Sequence, residues 1–109
     1  MTESQLAVFD SSNFEQDVLA RRGLTLVDFW AEGCVPCRQL SRQLQHLVGE
    51  ISPEVRVGTV NARENPDLTK RYGVHSVPTL LFVKDGLVVE TRTGVDRRQV
   101  LKKLVETYA

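Results

Sequence analysis

Seven consecutive residues, Leu24 to Trp30, constrain the fold more strongly than any other segment of the chain. They read Leu-Thr-Leu-Val-Asp-Phe-Trp, with apolar, β-branched or aromatic side chains on both alternating faces. A strand with one face in water would carry polar side chains at every second position, and this run does not. It therefore predicts a central strand buried on both faces of its sheet, with Asp28 as the exception inside it.

Strand-like and helix-like segments alternate on both sides of this central strand. Apolar and β-branched runs predict strands over residues 6–9, 24–30, 55–61, 79–84 and 87–92. Periodicity and end signals predict helices over residues 13–22, from the cysteine pair to where Gly49 and Pro53 fray and stop the helix, over residues 66–72, and after residue 96. The order β-α-β-α-β-α-β-β-α predicts an α/β fold, with one mixed sheet that is parallel in its first half, antiparallel at its end, and covered by helices on both faces.

Cap and turn residues mark the ends of these segments. Ser12 and Glu15 fit a capping box at the start of the first helix, and Gly23 fits a left-handed stop after it. Asp85–Gly86, between two apolar runs, is the strongest hairpin signal in the chain. Asp96 is placed to cap the last helix. The predicted buried stripe of that helix is Val100, Leu101, Leu104, Val105 and Tyr108.

The composition is that of one compact domain over residues 1–109. Of these residues 41% are hydrophobic, and a chain of this length buries a sufficient core without disulfide or metal cross-links. No internal repeat and no linker rich in Gly, Ser or Pro divides the chain. The sequence therefore predicts a single domain.

Charge and hydropathy argue against several kinds of partner. The 14 basic and 14 acidic side chains cancel and are interleaved, so we predict no basic face for nucleic acid. The apolar stretch Val77–Val83 is far shorter than the roughly 20 residues that span a bilayer. Met1–Gln5 lacks the pattern of a secretory signal. We therefore expect a cytoplasmic protein that binds neither nucleic acid nor membrane.

The two cysteines form a Cys-x-x-Cys pair, Cys34-Val35-Pro36-Cys37, directly after the central strand and at the start of a helix. A cytosolic protein rarely uses such a pair as a structural cross-link, because its thiols are kept reduced. The first turn of a helix favours thiolate over thiol, most strongly for Cys34 at the tip. Pro36 fits that turn, where its missing N–H costs nothing. One cysteine could attack a substrate disulfide and the other could displace the reduced product.

Other uses of the cysteine pair are weaker. A zinc site needs two further ligands, and the chain offers only His46 and His75 and no second Cys-x-x-Cys. A haem attachment requires histidine directly after the second cysteine, where Arg38 stands. Two coincidental free cysteines remain an alternative.

Three segments together resemble the thioredoxin family. They are Asp28–Cys37 (DFWAEGCVPC), Tyr72–Leu80 (YGVHSVPTL) and Lys84–Gly86 (KDG), in the order and spacing of the family, with Gly94 following. The resemblance implies a thioredoxin fold, with about five strands and about four helices, and a protein-disulfide oxidoreductase. It implies no cofactor beyond the redox-active disulfide and no metal. The implied partners are protein disulfide substrates and a thioredoxin reductase, and the implied state is a monomer.

The resemblance also assigns roles to individual residues. Cys34 is the attacking thiolate, Cys37 resolves the mixed disulfide, and Asp28 is a buried carboxyl that exchanges a proton with Cys37. Burial should raise the pKa of Asp28, although an exposed Asp28 is the alternative. The remaining residues implied in substrate binding are Trp30, Gly33, Val35, Pro36, Val77, a cis Pro78 and Gly94. Among these, the Val77 backbone would pair with an extended substrate segment, and Gly94 is equally consistent with an ordinary strand end.

The chain departs from the family pattern Trp-Cys-Gly-Pro-Cys-Lys at Gly33, Val35 and Arg38. We expect Gly33 to open the site and Val35 to stiffen the loop between the cysteines. Thr59 stands where the family has a buried lysine beside the aspartate, so Asp28 should be harder to ionise. These departures keep two alternatives open: an isomerase or oxidase with a dedicated partner, and a binding module or co-chaperone.

Overall fold

Five strands and four helical segments make up residues 6–109, which are the part of the chain that the computed structural model describes. The strands are β1 Ala7–Phe9, β2 Leu24–Trp30, β3 Arg56–Asn61, β4 Thr79–Lys84 and β5 Leu87–Thr93. The helices are a short π-helix Glu15–Leu19, α1 Val35–Val48, α2 Pro66–Arg71 and α3 Arg98–Tyr108. The predicted order of elements is confirmed. Met1–Gln5, on which the prediction about a secretory signal rests, lies outside the described residues.

The strands form one mixed sheet in the order β1-β3-β2-β4-β5. Both β1 and β2 run parallel to β3, whereas β4 runs antiparallel to β2 and to β5. Strand β2 therefore lies in the middle of the sheet, and its residues are buried as far as Phe29. This confirms the prediction of a central strand covered on both faces.

Two apolar clusters cover the two faces of the sheet. Leu26 of β2 belongs to the cluster formed with α1 and α3, and Val27 belongs to the cluster formed with the π-helix and α2. Alternate residues of β2 thus pack against different helices, because successive side chains of a strand point to opposite faces. Asp28 lies two residues after Leu26 in the strand, so its side chain is on the same face of the sheet, which α1 covers.

The hairpin between β4 and β5 turns at Asp85 and Gly86, as predicted. Both residues have positive φ, 51° and 84°, which is the backbone of a type I′ turn. The Asp85 carboxylate also accepts a hydrogen bond of 2.7 Å from the Gly23 amide, and the Asp85 amide donates to the Gly23 carbonyl at 3.0 Å. These bonds tie the hairpin to the loop in front of β2.

The predicted capping box of Ser12 and Glu15 is wrong. The Asp10 carboxylate instead accepts hydrogen bonds from the amides of Ser12 and Asn13, at 2.9 and 3.1 Å, and from the Ser12 hydroxyl at 2.6 Å. With Ser12 held by Asp10, the helix begins later than predicted and ends at Leu19. Gly23 has the left-handed φ that we expected, but it lies in the following loop.

Asp96 does not cap the last helix, which was also predicted wrongly. Arg97 is the cap residue and makes no side-chain capping bond. The Asp96 carboxylate is engaged by the Arg92 guanidinium, which donates to both oxygens at 2.9 and 3.2 Å. Leu101 and Val105 of the predicted stripe are buried, and Leu104 and Tyr108 are partly buried. Val100 is 37% exposed and does not belong to the stripe.

Substituting Gly58 with alanine is expected to destabilise the protein by about 2 kcal/mol, the cost typical of an overpacked core. A Cβ at Gly58 would lie 2.9 Å from the Ala7 carbonyl oxygen and closer still to the buried Phe9 ring. Gly49→Ala is the matched control, because its Cβ meets nothing nearer than the His46 carbonyl oxygen at 3.6 Å. Urea unfolding measures both, and equal stability of the two variants would contradict the packing described for β1 and β3.

Candidate active site

Cys34 and Cys37 stand at the amino-terminal end of α1, directly beyond the central strand. Cys34 is the cap residue, with extended backbone (φ −97°, ψ 107°), and Pro36 occupies the first turn. The two cysteines form a disulfide with their Cα atoms 5.2 Å apart. The Cys37 amide donates a hydrogen bond of 3.2 Å to the Cys34 sulfur. This bond and the helix dipole both favour negative charge on Cys34 once the disulfide is reduced.

The two sulfurs differ in exposure. Cys37 is only 3% exposed, whereas Cys34 is partly exposed beside Gly33, Val35 and Pro36, which all lie at the surface. An incoming disulfide can therefore reach Cys34 more easily than Cys37. This difference agrees with the predicted order of attack, in which Cys34 acts first.

Asp28 is buried in the middle of the sheet and is 1% exposed, so the alternative of a solvent-facing Asp28 is wrong. Its Oδ1 atom has no hydrogen-bond partner among residues 6–109. Burial favours the neutral carboxyl and raises the pKa of Asp28 to about 7, in the direction we expected. Such a group can gain and lose a proton near neutral pH.

A cavity of about 470 Å³ brings several predicted site residues together. Asp28, Trp30, Gly33, Cys34 and Cys37 all line it. Asp28 and both cysteines therefore border one space. Thr59 lines the same cavity and is the residue of β3 that pairs with Asp28 in the sheet register. The position where the family pattern places a lysine is thus occupied by a short hydroxyl side chain directly beside the aspartate.

Val77, Pro78 and Gly94, which were also predicted as site residues, lie together at one end of the sheet. The Val77–Pro78 peptide bond is cis, as predicted, and the Gly94 amide donates to the Pro78 carbonyl at 2.9 Å. Because Thr79 pairs with Phe29 in antiparallel register, Val77 and Pro78 lie at the end of β2 that leads to the cysteines. Val77 makes no backbone hydrogen bond within residues 6–109, so its amide and carbonyl are available to a bound segment.

Two features of the site were not predicted. Gly33 has φ +76°, a left-handed backbone that glycine adopts without strain. The open space beside it, where an added Cβ would meet nothing within 4 Å, agrees with the expectation that Gly33 opens the site. The cavity also has walls from Leu6 and Val8, which are distant from the cysteines in sequence. The replacement of lysine by Thr59 was the one sequence signal that could have indicated the cavity.

Within residues 6–109, no three His, Cys, Asp or Glu side chains lie close enough together to hold a metal ion. No helix in the same residues is both long and apolar enough to cross a membrane.

A dithiol pair that closes to a disulfide at a helix tip, beyond the central strand of a mixed sheet, defines a thiol-disulfide oxidoreductase. The thioredoxin family model matches residues 5–107. Thioredoxin of Rhodospirillum rubrum is 42% identical over 95 residues, which cover 87% of this chain and 91% of that protein. Thioredoxin of Pseudomonas aeruginosa is 42% identical over 94 residues, 86% of each chain. Thioredoxin 1 of Synechococcus elongatus is 35% identical over 105 residues, 96% of this chain and 98% of that protein.

The chain therefore belongs to the thioredoxin family. Its fold is the thioredoxin fold that we expected, and its activity is that of a protein-disulfide oxidoreductase.

Proposed function

We propose that this protein reduces the disulfides of other proteins, with Cys34 as nucleophile and Cys37 as resolving thiol. The Cys34 thiolate attacks one sulfur of the substrate disulfide, forming a mixed disulfide and releasing the other substrate sulfur as a thiolate that takes up a proton. The Cys37 thiolate then attacks the Cys34 sulfur, which restores the Cys34–Cys37 disulfide and releases the second substrate thiol. The observation that carries this order is the difference in exposure between Cys34 and the buried Cys37.

Asp28 is proposed to accept the Cys37 proton before the second step. Its support is that Asp28 and Cys37 line one cavity and that the pKa of the carboxyl is about 7. A base with a pKa near the working pH is the most effective at this task. Because Thr59 carries no charge, the buried carboxyl has no cation beside it in β3, which fits the raised pKa.

The substrate segment is proposed to bind as an added strand against Val77. The free backbone groups of Val77 supply the pairing, and Pro78 and Gly94, which are hydrogen-bonded to each other, shape the two lips of the groove. Trp30, Gly33, Val35 and Pro36 would contact the substrate from the side of the cysteines. Val35 is 53% exposed, so its apolar side chain is available for that contact.

The reducing electrons are proposed to come from a thioredoxin reductase, with the protein acting as a cytoplasmic monomer of one domain. No cofactor beyond the cysteine pair is proposed. The neutral net charge fits a protein that recognises exposed disulfides through apolar contact and backbone pairing rather than through a charged surface.

The Gly33-Cys34-Val35-Pro36-Cys37 motif supports one second candidate, a thiol-disulfide isomerase or oxidase with a dedicated partner. Residues around the nucleophile decide which proteins dock, and the exposed Val35 and open Gly33 change that surface relative to the family pattern. A binding module or co-chaperone is supported less well, because it needs neither sulfur.

Turnover and reduction potential separate these candidates. With NADPH, a bacterial thioredoxin reductase and a disulfide-containing model protein, we expect steady NADPH consumption that depends on this protein. We also expect a Cys34–Cys37 potential close to the roughly −270 mV of thioredoxin, measured by equilibration with glutathione. A potential near the roughly −120 mV of a strong periplasmic oxidant, without turnover by the reductase, would replace the reductase proposal with the oxidase candidate.

A further inference from the structure

The loop between β5 and α3 forms one lip of the proposed substrate groove, and few backbone hydrogen bonds hold it. The Gly94 amide donates to the Pro78 carbonyl at 2.9 Å, which joins the two lips. Among residues 6–109, the amides of Val95 and Asp96 donate to no other backbone group. Val95 is 38% exposed, so an apolar side chain stands at the surface directly beside Gly94. The position of this lip therefore depends on contacts made by side chains.

Arg92 and Asp96 join the two ends of this loop. Arg92 belongs to β5 and pairs with Leu80 of β4, so the sheet fixes its backbone. Its Nε atom donates to Asp96 Oδ2 at 2.9 Å, and its Nη2 atom donates to Asp96 Oδ1 at 3.2 Å. Two such bonds fix the orientation of the carboxylate as well as its distance from the guanidinium. The strand thus holds the far end of the loop, two residues beyond Gly94.

The Arg92 guanidinium is itself held from a second side. Its Nη1 atom lies 3.4 Å from Glu90 Oε2, and the Tyr108 hydroxyl donates to Glu90 Oε1 at 2.8 Å. Isolated surface ion pairs contribute little to stability, but bidentate geometry and a network of charges are the conditions under which they do contribute. The pair of Arg92 and Asp96 meets both conditions, and these side chains are only 36% and 24% exposed.

We propose that the Arg92–Asp96 ion pair is a clasp that holds Gly94 and Val95 in the position where the substrate segment binds. This inference rests on the proposed function, because the lip matters only when a protein disulfide docks in the groove. Arg92 and Asp96 act through the loop rather than on the sulfurs, so they are positioning residues. Opening the clasp lets the lip move, which weakens binding of an extended substrate and leaves the chemistry of the cysteines unchanged.

Asp96→Asn tests the clasp, because it removes the charge and one acceptor while keeping the size of the side chain. With a protein disulfide in the coupled reductase assay, KM should rise about three- to fivefold, and kcat should stay within about twofold of the wild type. The reduced variant should react with the small, uncharged hydroxyethyl disulfide at the wild-type rate, since this substrate needs no groove. Asp96→Glu keeps the carboxylate and should recover most of the wild-type KM.

Glu50→Gln is the matched control. It removes the carboxylate of the Arg98–Glu50 pair, 3.7 Å apart, which joins the same end of α3 to the end of α1 and not to the loop. Its KM should equal that of the wild type. Amide hydrogen exchange at Gly94, followed by NMR in the oxidised protein without substrate, measures the clasp independently of activity. Protection should fall about threefold or more in Asp96→Asn and stay unchanged in Glu50→Gln.

Three results would each overturn the proposal: a wild-type KM in Asp96→Asn, wild-type protection of its Gly94 amide, or an equal loss of rate on the protein disulfide and on hydroxyethyl disulfide. Absence of turnover by the wild type would contradict the proposed function instead. In that case, exchange at Gly94 still decides whether the ion pair holds the loop.

Discussion

Replacing Cys34 with serine is expected to abolish reduction of protein disulfides, lowering the rate by about a thousandfold or more. A serine hydroxyl stays protonated at neutral pH, so the helix tip no longer holds an anionic nucleophile. The Cys37 amide, which donates to the Cys34 sulfur, would then face a neutral oxygen. NADPH consumption in the coupled assay with thioredoxin reductase measures the loss.

The control for this prediction is Ser41→Ala, about two turns further along α1, which lines the cavity without taking part in the exchange. It should retain activity within a few-fold of the wild type. If Cys34→Ser kept wild-type turnover in this assay, Cys34 would not be the nucleophile. If Cys34→Ser instead supported the protein's physiological activity in cells without turnover, both enzymatic candidates would fail together, and the binding module would become the better interpretation of the fold.

Asp28→Asn is expected to stabilise the protein by up to about 4 kcal/mol at pH 8 and by close to nothing at pH 4. The pKa of Asp28 is about 7 in the folded protein, above its ordinary value of 3.8. Well below pH 4 the carboxyl is neutral in both the folded and the unfolded state, and its burial then costs about the same as that of an amide. As pH rises from 4 to 7, the unfolded chain ionises first, so the folded wild type loses stability relative to the variant. Above pH 7 the difference stays constant.

Urea unfolding of the wild type and Asp28→Asn at several pH values measures this difference. Glu106→Gln is the control, since it removes a carboxylate from an exposed position of α3 and should show no comparable pH-dependent gain. A stability difference that does not change between pH 4 and pH 8 would show that the carboxyl is not held neutral by burial. Asp28→Asn also tests the proposed proton transfer. If Asp28 accepts the Cys37 proton, this variant should release the mixed disulfide more slowly than the wild type does.

Local patterns predicted most of the fold, because the decisive signals lie within short segments. The double-sided run Leu24–Trp30 predicted a central strand and Asp85–Gly86 predicted a tight hairpin, and both were confirmed. The cysteine pair was placed at a helix tip for the same reason. The neighbouring residues show a strand directly before the pair and a helical apolar stripe directly after it.

The wrong helix caps were predicted where a side chain that could cap a helix forms a hydrogen bond with another side chain instead. Ser12 and Asp96 are both good helix caps, but the Asp10 carboxylate holds Ser12 and the Arg92 guanidinium holds Asp96. Those contacts depend on loop geometry and on the neighbouring strand, which helical patterns do not contain. Val100 was assigned to the buried stripe for a similar reason, since its exposure depends on how α3 sits on the sheet.

The candidate site was predicted in its chemistry but not in its shape. Burial of Asp28 followed from the apolar strand around it. The cavity in front of it needs Leu6, Thr59 and α1 to meet, and these are far apart in sequence. The positive φ of Gly33 was equally hidden, because glycine at that position is compatible with any backbone.

Trapping of the mixed disulfide with Cys37→Ser tests the central claim most directly. Reduced Cys37→Ser is mixed with a protein containing one accessible disulfide, and the products are identified by intact mass under non-reducing conditions. We predict a stable covalent adduct of the two chains through Cys34, since the resolving sulfur is gone, and no adduct with Cys34→Ser. An adduct formed by Cys34→Ser through Cys37, with none formed by Cys37→Ser, would contradict the account.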